Sequence, residues 1–349
     1  MFVISADKVK GVGEPNILVT GANGFLGSEV VRLLRADSVN ARATGLENQC
    51  LQSGGDYYQA DILQIEQIKP VVAGVSTIIH TAGLAHIFGA DATSADRFRQ
   101  INESGTANVA SVAAAEGVKH FVLISSVSVY GPHTFGLYDE DTPCNPIGAY
   151  AMSKYGAELK AEEIARKSGM ALTVLRLATL YGEGDRGNVH RLLATIDNGH
   201  FIWIGDGSNQ KSLLYKGDAA RACAMVAVHP AAGIRTYNVS APPCTMHEIV
   251  QGLSQELGRT LPPFQIPPRL ALFAANLAGK VMRRRGGNDN LRSTVEKWLA
   301  NDTYDSRRFE HDFGFRTQVT LQDGLQREVA WHKEAHRCIL PTSRHAQKG

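Results

Sequence analysis

The chain has 349 residues, of which 44% are hydrophobic and 20% charged, a composition that excludes a disordered or low-complexity protein. Its 36 basic and 34 acidic residues give a formal charge of +2, so no extended nucleic-acid surface is expected and the predicted partner is a small molecule. The length fits about two domains, or one large domain with an added lobe.

Cysteine usage and hydropathy predict a cytoplasmic protein without a membrane span. The five cysteines form no CxxC pair and are odd in number, which indicates reduced thiols. The first 15 residues lack the apolar core of a signal peptide. The apolar stretch at 264–282 is interrupted by prolines and charges, so it predicts an amphipathic helix on a lobe surface. The arginine run at 283–285 is either a solvated loop or a contact for anionic lipid or substrate phosphates.

The first half of the chain alternates strand patterns with helical patterns. Strands are predicted at 16–20, 76–80, 120–125 and 172–176, and helices at 25–35, 101–116 and 149–168. This order predicts parallel βαβ units, and the continuously apolar strands predict a sheet covered on both faces. The expected fold class is therefore α/β, a Rossmann-type doubly wound parallel sheet with a smaller C-terminal substrate-binding lobe.

The pattern changes after Tyr181, where glycine and proline become frequent and the elements become shorter. We expect a dinucleotide-binding domain at 1–180 and mainly a substrate-binding lobe at 181–349. A helix at 219–228 and a strand at 236–239 predict that the chain returns to the first domain at about 211–241.

A glycine motif, TGANGFLG at 20–27, follows the first predicted strand and opens the first helix. Gly21 permits a tight turn, Gly24 lets the backbone approach a pyrophosphate, and Gly27 allows close packing of helix and strand. The unpaired N–H groups of the helix N-terminus, at Phe25 and Leu26, would face the phosphates. The motif predicts dinucleotide binding.

Two further segments extend this predicted cleft. Asp61, next to Ile62, follows a short strand and either accepts from the adenine amino group or caps the next helix. Thr81, Ala82 and Gly83 end another strand, and their small side chains would let the backbone lie against the cofactor.

Tyr150 and Lys154 lie four residues apart on one face of a predicted helix. Ser126 follows a strand at the carboxyl edge, where ligands bind in open α/β sheets. A tyrosine has a pKa near 10, so it exchanges protons at neutral pH only if its phenolate is stabilised, and a nearby ammonium would do this. The three residues predict proton transfer at a substrate oxygen.

The glycine motif, SSVSVYG at 125–131 and YAMSK at 150–154 together resemble the extended short-chain dehydrogenases/reductases, and within them the nucleotide-sugar epimerase/dehydratase group. The resemblance implies that Ser126, Tyr150 and Lys154 form a catalytic set, that Lys154 also binds the nicotinamide ribose, and that Asn102 positions the cofactor. It further implies a homodimer that pairs through the helices at 101–116 and 149–168.

Departures from the family pattern narrow the function. Val127 and Ser128 stand where 4,6-dehydratases carry Asp-Glu, which disfavours dehydration. Leu177 follows Arg176 where many members have a proline. Lys211 replaces an arginine that reaches the nucleotide in many sugar enzymes, and it lacks the bidentate fork. The candidate substrate contacts are His86, Ser128, Asn188, Lys211 and Arg292.

The cofactor is NAD or NADP. The second strand is expected at 39–43, and no acidic residue stands at its end to accept from the ribose hydroxyls. Glu47 is later in the chain, and Arg42 is near enough to meet a 2′-phosphate. NAD is favoured through the epimerase interpretation.

The favoured function is an NAD(P)-dependent 4-epimerase of a nucleotide-linked hexose. The alternatives are a nucleotide-4-keto-sugar reductase, a 3β-hydroxysteroid-type alcohol dehydrogenase and, from another class, a non-catalytic dinucleotide-binding sensor. No metal site is predicted, because His332 and His336 share a helix face but lack a third ligand.

Overall fold

The computed structural model describes residues 16–85, 92–132, 136–284 and 291–339. The strands are β1 (Ile17–Thr20), β2 (Ala41–Gly45), β3 (Tyr57–Gln59), β4 (Thr77–His80), β5 (His120–Ser126), β6 (Ala171–Leu177), β7 (Thr179–Tyr181), β8 (Trp203–Ile204), β9 (Gln210–Lys211), β10 (Leu213–Tyr215), β11 (Ile234–Val239), β12 (Cys244–Thr245) and β13 (Gln265–Ile266). The helices are α1 (Phe25–Ala36), α2 (Ile65–Val72), α3 (Ala92–Phe98), α4 (Gly105–Ala115), α5 (Ala149–Ser168), α6 (Asn188–Asp197), α7 (Lys216–Val228), α8 (Met246–Leu257), α9 (Pro268–Arg284), α10 (Leu291–Leu299), α11 (Arg307–Phe313) and α12 (Leu321–Ile339).

The centre of the molecule is a seven-stranded parallel sheet in the order β11-β6-β5-β4-β1-β2-β3. The strand order reverses beside β1, as it does in doubly wound folds. The four residues of β1 and the four of β4 are all buried, because helices cover both faces of the sheet. The structure confirms the predicted fold class, and β11, late in the chain, lies at the edge of this sheet.

The two faces of the sheet hold separate apolar clusters. One cluster includes Val30 and Leu34 of α1 together with Ala220 and Val226 of α7. The other packs α2, α4 and α5 against the opposite face, with Phe121 at its centre. Apolar packing therefore covers both faces of the sheet.

A third cluster forms the core of the C-terminal lobe. It joins α6, α8 and α12 around the side chains of Leu193, Trp203, Leu253 and Leu325. The short pairs β8–β13 and β9–β12 lie in this part of the chain.

Three local differences from the sequence prediction bear on the site. The second strand ends at Gly45 rather than at residue 43, because Thr44 and Gly45 pair with β3. The helix expected at 101–116 begins with a π-helical turn, Arg99–Ser104, before α4. Ser126 caps a short 3₁₀-helix, Val127–Tyr130.

Candidate active site

The glycine motif forms a tight turn between β1 and α1. Gly21 has a φ of +65°, and a Cβ there would lie 2.7 Å from the backbone of Ala82. A Cβ on Gly27 would lie 2.1 Å from the carbonyl oxygen of Gly21. Gly24 is the N-cap of α1 and supplies no side-chain hydrogen bond to the first turn. The residues fit the predicted phosphate-binding turn.

The segment after β4 lies directly beside this turn. Thr81 Oγ1 donates to the carbonyl oxygen of Thr20 at 2.6 Å, and the Ala82 N–H donates to Thr20 Oγ1 at 3.3 Å. A Cβ on Gly83 would lie 3.9 Å from Lys154 Nζ. The structure therefore brings Thr81, Ala82 and Gly83 together with the glycine motif, as the sequence predicts.

Asn102, in the π-helical turn, connects this segment to α5. Its Oδ1 accepts from the Leu84 N–H at 2.7 Å, and its Nδ2 donates to the Leu84 carbonyl at 3.0 Å and to Ser153 Oγ at 2.9 Å. Ser153 in turn donates to the carbonyl of Tyr150. π-Turns inside helices are frequent at functional sites, and this one lets a buried amide bridge the β4 segment and the helix of Tyr150.

Ser126 and Tyr150 meet at the carboxyl edge of the sheet. Burial raises the pKa of Tyr150 above its usual value near 10, and the neighbouring Ser126 hydroxyl offsets only part of that rise. The ring of Phe98 packs edge-on against Tyr150, with 5.8 Å between the ring centroids. Ser126 Oγ also accepts from the Ser128 N–H at 3.2 Å, which fixes its rotamer. Two hydroxyl groups thus converge where one substrate oxygen can contact both.

Lys154 lies one helical turn after Tyr150, and its ammonium is buried. Its Nζ donates to the carbonyl oxygen of Ile124 in β5. Burial lowers the pKa of Lys154 to about 8, and the charge of Glu158 raises it. His80, buried nearby, has a pKa lowered to about 3 by its own burial and by the charge of Lys154, so it is neutral.

A buried network that the sequence prediction missed supports this set. The Glu158 carboxylate accepts a hydrogen bond from Ser125 Oγ. Arg176 donates to the same carboxylate from Nη2 at 2.7 Å and from Nε at 3.1 Å. Arg176 also donates to Tyr130 Oη at 3.0 Å, and Tyr130 donates to Asn238 at 2.8 Å. Ser125 directly precedes Ser126, so the network fixes the end of β5 against α5. The one sequence signal was an acidic residue four positions after Lys154 on the same helix face.

The segment that the sequence predicts to contact the adenine lies just after β3. A cleft of about 370 Å³ is lined by Leu46, Gln59, Ala60, Asp61 and Gln67. Asp61 Oδ1 accepts from the Leu63 N–H at 2.9 Å, so it caps the turn before α2 and not the helix itself.

Ile62, the neighbour of Asp61, is held by two residues of α4. Ile62 packs against Gly105, where a Cβ would lie 2.5 Å from its Cδ1, and Asn108 donates to its carbonyl at 3.1 Å. Asp61 therefore lines this cleft, and Ile62 packs beside it against the start of α4.

The structure shows where Glu47, the acidic residue that follows the second strand, places its carboxylate. Because β2 ends at Gly45, Glu47 follows it by two residues, and its carboxylate accepts from Asn23 of the glycine motif at 3.1 Å. Arg42 donates to the carbonyls of Val71 and Ala73 at 2.6 Å and 3.0 Å. An acid thus stands beside the glycine motif, and Arg42 is held at α2.

The candidate substrate contacts fall into different places. Ser128 Oγ is buried and has no hydrogen-bond partner among the described residues, beside the Ser126–Tyr150 pair. Asn188 is exposed at the start of α6. Arg292 is exposed on α10, where it donates to Glu296 at 2.7 Å and to Asn276 at 3.2 Å. His86 lies outside the described residues.

Lys211 has a structural role in place of the expected substrate contact. Its ammonium is buried and donates to the carbonyls of Lys297 and Ala300 at 2.7 Å each, and to Asp302 Oδ2 at 2.6 Å. An ammonium has three donors, and these oxygens use all three. Lys211 therefore ties β9 to the segment after α10.

Glu328 of α12 is another buried carboxyl group that the sequence did not indicate. Its Oε2 accepts from the Gly182 N–H at 3.2 Å, at the loop that follows β7. Burial, together with the charge of Asp185, raises the pKa of Glu328 to about 8. His332, on the same helix, contacts Asp197 at 3.2 Å. His336 has no described side chain, and the described side chains contain no group of three potential metal ligands.

Comparison with known proteins places the chain in a family. The model of the NAD dependent epimerase/dehydratase family matches residues 17–240. The chain belongs to this family. It is therefore an enzyme, and the prediction of a nicotinamide dinucleotide cofactor is confirmed.

Individual relatives are more distant. The chain is 29% identical to N-acetyl-alpha-D-glucosaminyl-diphospho-ditrans,octacis-undecaprenol 4-epimerase of Escherichia coli O157:H7, over 90% of this chain and 95% of that protein. It is 26% identical to UDP-glucose 4-epimerase of Vibrio cholerae, over 89% and 93%. The solved structure of MoeE5 in complex with UDP-glucose and NAD superposes with a TM-score of 0.73 at 23% identity, over 92% and 99%. None of the helices in the described ranges is long and apolar enough to cross a membrane.

Proposed function

We propose that the protein is an NAD-dependent 4-epimerase of a hexose carried on a diphosphate. The observation that carries this proposal is the proximity of the Ser126 and Tyr150 hydroxyl groups, with Lys154 one turn away and the glycine motif at the same sheet edge. The two epimerase relatives act, by their names, on N-acetylglucosaminyl-diphospho-undecaprenol and on UDP-glucose. A hexose bound to a diphosphate is the part that these two substrates share.

The side chains supply proton transfer and orientation. Tyr150 would take the proton of the sugar hydroxyl and later return it, and Ser126 would hold the same oxygen by a hydrogen bond. Ser128 Oγ, buried and unpaired within the described residues, is a second donor for the sugar. NAD, when bound, supplies the hydride chemistry. Val127 is buried and Ser128 carries no carboxylate, so this position lacks the acid–base pair that elimination of water would need.

The residues present fit NAD better than NADP. Glu47 beside the glycine motif would accept from ribose hydroxyls and would repel a 2′-phosphate. Arg42, the candidate for pairing with that phosphate, is already bound to two carbonyl oxygens. Lys154 Nζ lies beside Gly83, and from there its ammonium could donate to the hydroxyl groups of the nicotinamide ribose. We therefore expect tighter binding of NAD than of NADP.

The test is the variant Tyr150→Phe. We expect it to lose roughly 10²–10⁴-fold of its turnover of UDP-hexoses, because a positioned proton donor and acceptor is removed, while NAD affinity stays unchanged. The matched control is Tyr155→Phe on the same helix, which should stay within a few-fold of the wild type. Activity of Tyr150→Phe that equals that of the control would contradict the assignment.

The type of reaction is decided by the released cofactor and by product analysis. An epimerase should release NAD on denaturation and interconvert the two C4 epimers without net use of NADH. Net consumption of NADPH with a 4-keto sugar would instead establish a reductase. Neither outcome depends on the Tyr150→Phe result, because both enzymes use the same hydroxyl group.

A further inference from the structure

The helix α9 presents its side chains in an unusual way. Its buried positions are the small residues Ala271, Ala275 and Gly279, one turn apart. Its large apolar side chains point outward, with Leu270 59%, Phe273 68% and Leu277 57% exposed. A surface helix of a globular protein ordinarily turns its large apolar residues to the core. We call Leu270, Phe273 and Leu277 the α9 face.

Neighbouring segments continue this exposure. Phe264, just before β13, is 78% exposed, and Leu291 at the start of α10 is 41% exposed. The contact between Arg292 and Asn276 holds α10 beside α9. Five of the fourteen large apolar side chains that are exposed in the described ranges thus lie between 264 and 291. Exposed apolar side chains concentrated in this way mark an interaction surface.

The same segment is strongly basic. Residues 264–292 contain six Lys or Arg and one Asp, a local charge of +5 in a chain whose formal charge is +2. Arg269 and Arg292 are exposed at either end of this stretch. The sequence also carries an arginine run at 283–285. Large apolar residues flanked by Lys and Arg are typical of helices that lie in the interface of an anionic membrane.

We propose that the α9 face docks this enzyme on the surface of an anionic lipid bilayer. Phe273 and the two leucines would enter the boundary between headgroups and acyl chains, and the basic residues would contact lipid phosphates. The occupant is a membrane surface rather than a second copy of the chain, because a two-fold interface would place two segments of charge +5 against each other. The docking goes beyond the proposed reaction and does not require it.

The experiment is sedimentation of the full-length protein with vesicles of phosphatidylcholine, with and without phosphatidylglycerol. We expect binding to the mixed vesicles, weaker binding at high salt, and much less binding to phosphatidylcholine alone. Phe273→Ser should lower the partition coefficient ~tenfold or more, because burial of a phenyl group is lost. Ile202→Ser, which removes an apolar side chain 56% exposed elsewhere in the lobe, is the matched control and should bind as the wild type does.

Other outcomes would overturn the proposal. The wild type could fail to bind the mixed vesicles, or Phe273→Ser could bind as well as Ile202→Ser. A dimer that dissociates in Phe273→Ser, with vesicle binding unchanged, would assign the face to a second copy. Turnover of a soluble UDP-hexose is measured on the same samples. If the wild type does not turn over any UDP-hexose, the proposed reaction is wrong, but the result of the vesicle experiment still holds.

Discussion

Two long helices of this chain distribute their side chains in opposite ways. The helix α5 buries two charged groups, Lys154 and Glu158, among small residues. The helix α9 also buries small residues, but its large apolar side chains point outward. Small buried residues let both helices pack closely against the rest of the protein. The helices differ in their other side chains, which are buried charged groups on α5 and exposed apolar groups on α9.

Both arrangements are unfavourable on their own, and each is offset by different contacts. A buried charge is stable only when it is paired and hydrogen-bonded, and α5 meets this condition within the protein through Arg176 and the carbonyl of Ile124. Exposed apolar side chains have no such internal partner, so α9 depends on something outside the chain. The region around α5 is therefore stabilised by contacts inside the protein, whereas the α9 face is suited to contacts with a partner outside it.

The largest effect is expected from a variant that disrupts the buried ion pair of α5. Glu158→Gln keeps the shape of the side chain but leaves the buried guanidinium of Arg176 without a countercharge. We expect the free energy of unfolding in urea to fall by ~3–5 kcal/mol. The control is Glu162→Gln, one turn further along α5, which removes an exposed ion pair with Arg166 and should cost less than about 1 kcal/mol.

The same variant tests how Glu158 acts on Lys154. The charge of Glu158 raises the pKa of Lys154, so its removal should move that pKa below its value of about 8. The ammonium would then be lost at a lower pH, and the alkaline decline of kcat/KM should shift toward lower pH. A variant that is destabilised but keeps the wild-type pH profile would show that Glu158 has only a structural role.

A smaller effect is expected for Lys154→Met, which preserves most of the bulk and removes the ammonium. NAD affinity should fall roughly ten- to a hundredfold, since a charged donor to the ribose is lost. The difference from wild type should be largest well below pH 8 and should shrink above it, because the wild-type ammonium itself loses its proton near pH 8. Titration of NAD binding on both sides of pH 8 checks this, and an affinity difference that does not change with pH would contradict it.

The two regions also show how far the sequence can be interpreted alone. The bounds of α5 were predicted correctly, and the positions of Ser126, Tyr150 and Lys154 follow from local motifs. The parallel sheet follows from apolar runs that alternate with helices. These features are encoded within a few residues, so one sequence is sufficient to predict them.

Features that depend on distant partners were missed. Glu158 and Arg176 pair across α5 and β6, and the three acceptors of Lys211 lie between residues 297 and 302. The end of β2 depends on pairing with β3, which overrides the weak strand preference of Gly45. The helix α9 was predicted as amphipathic, but periodicity does not say which face turns inward, and here small residues fit against the lobe.

The smallest expected effect sharpens the α9 side of the comparison. Ala274 and Ala275 are neighbours in the same helix, one exposed and the other buried. Ala275→Leu should lower the free energy of unfolding by ~1–3 kcal/mol, because extra methyl groups are forced between α9 and the lobe. Ala274→Leu adds the same group to the outward side and should change stability by less than about 0.5 kcal/mol. Urea unfolding of the two variants measures the difference. Because leucine adds apolar area to the α9 face, Ala274→Leu should also bind anionic vesicles more tightly than the wild type. Equal unfolding energies for the two variants would mean that the small residues of α9 do not pack against the lobe, and the outward direction of its large side chains would then lose its structural basis.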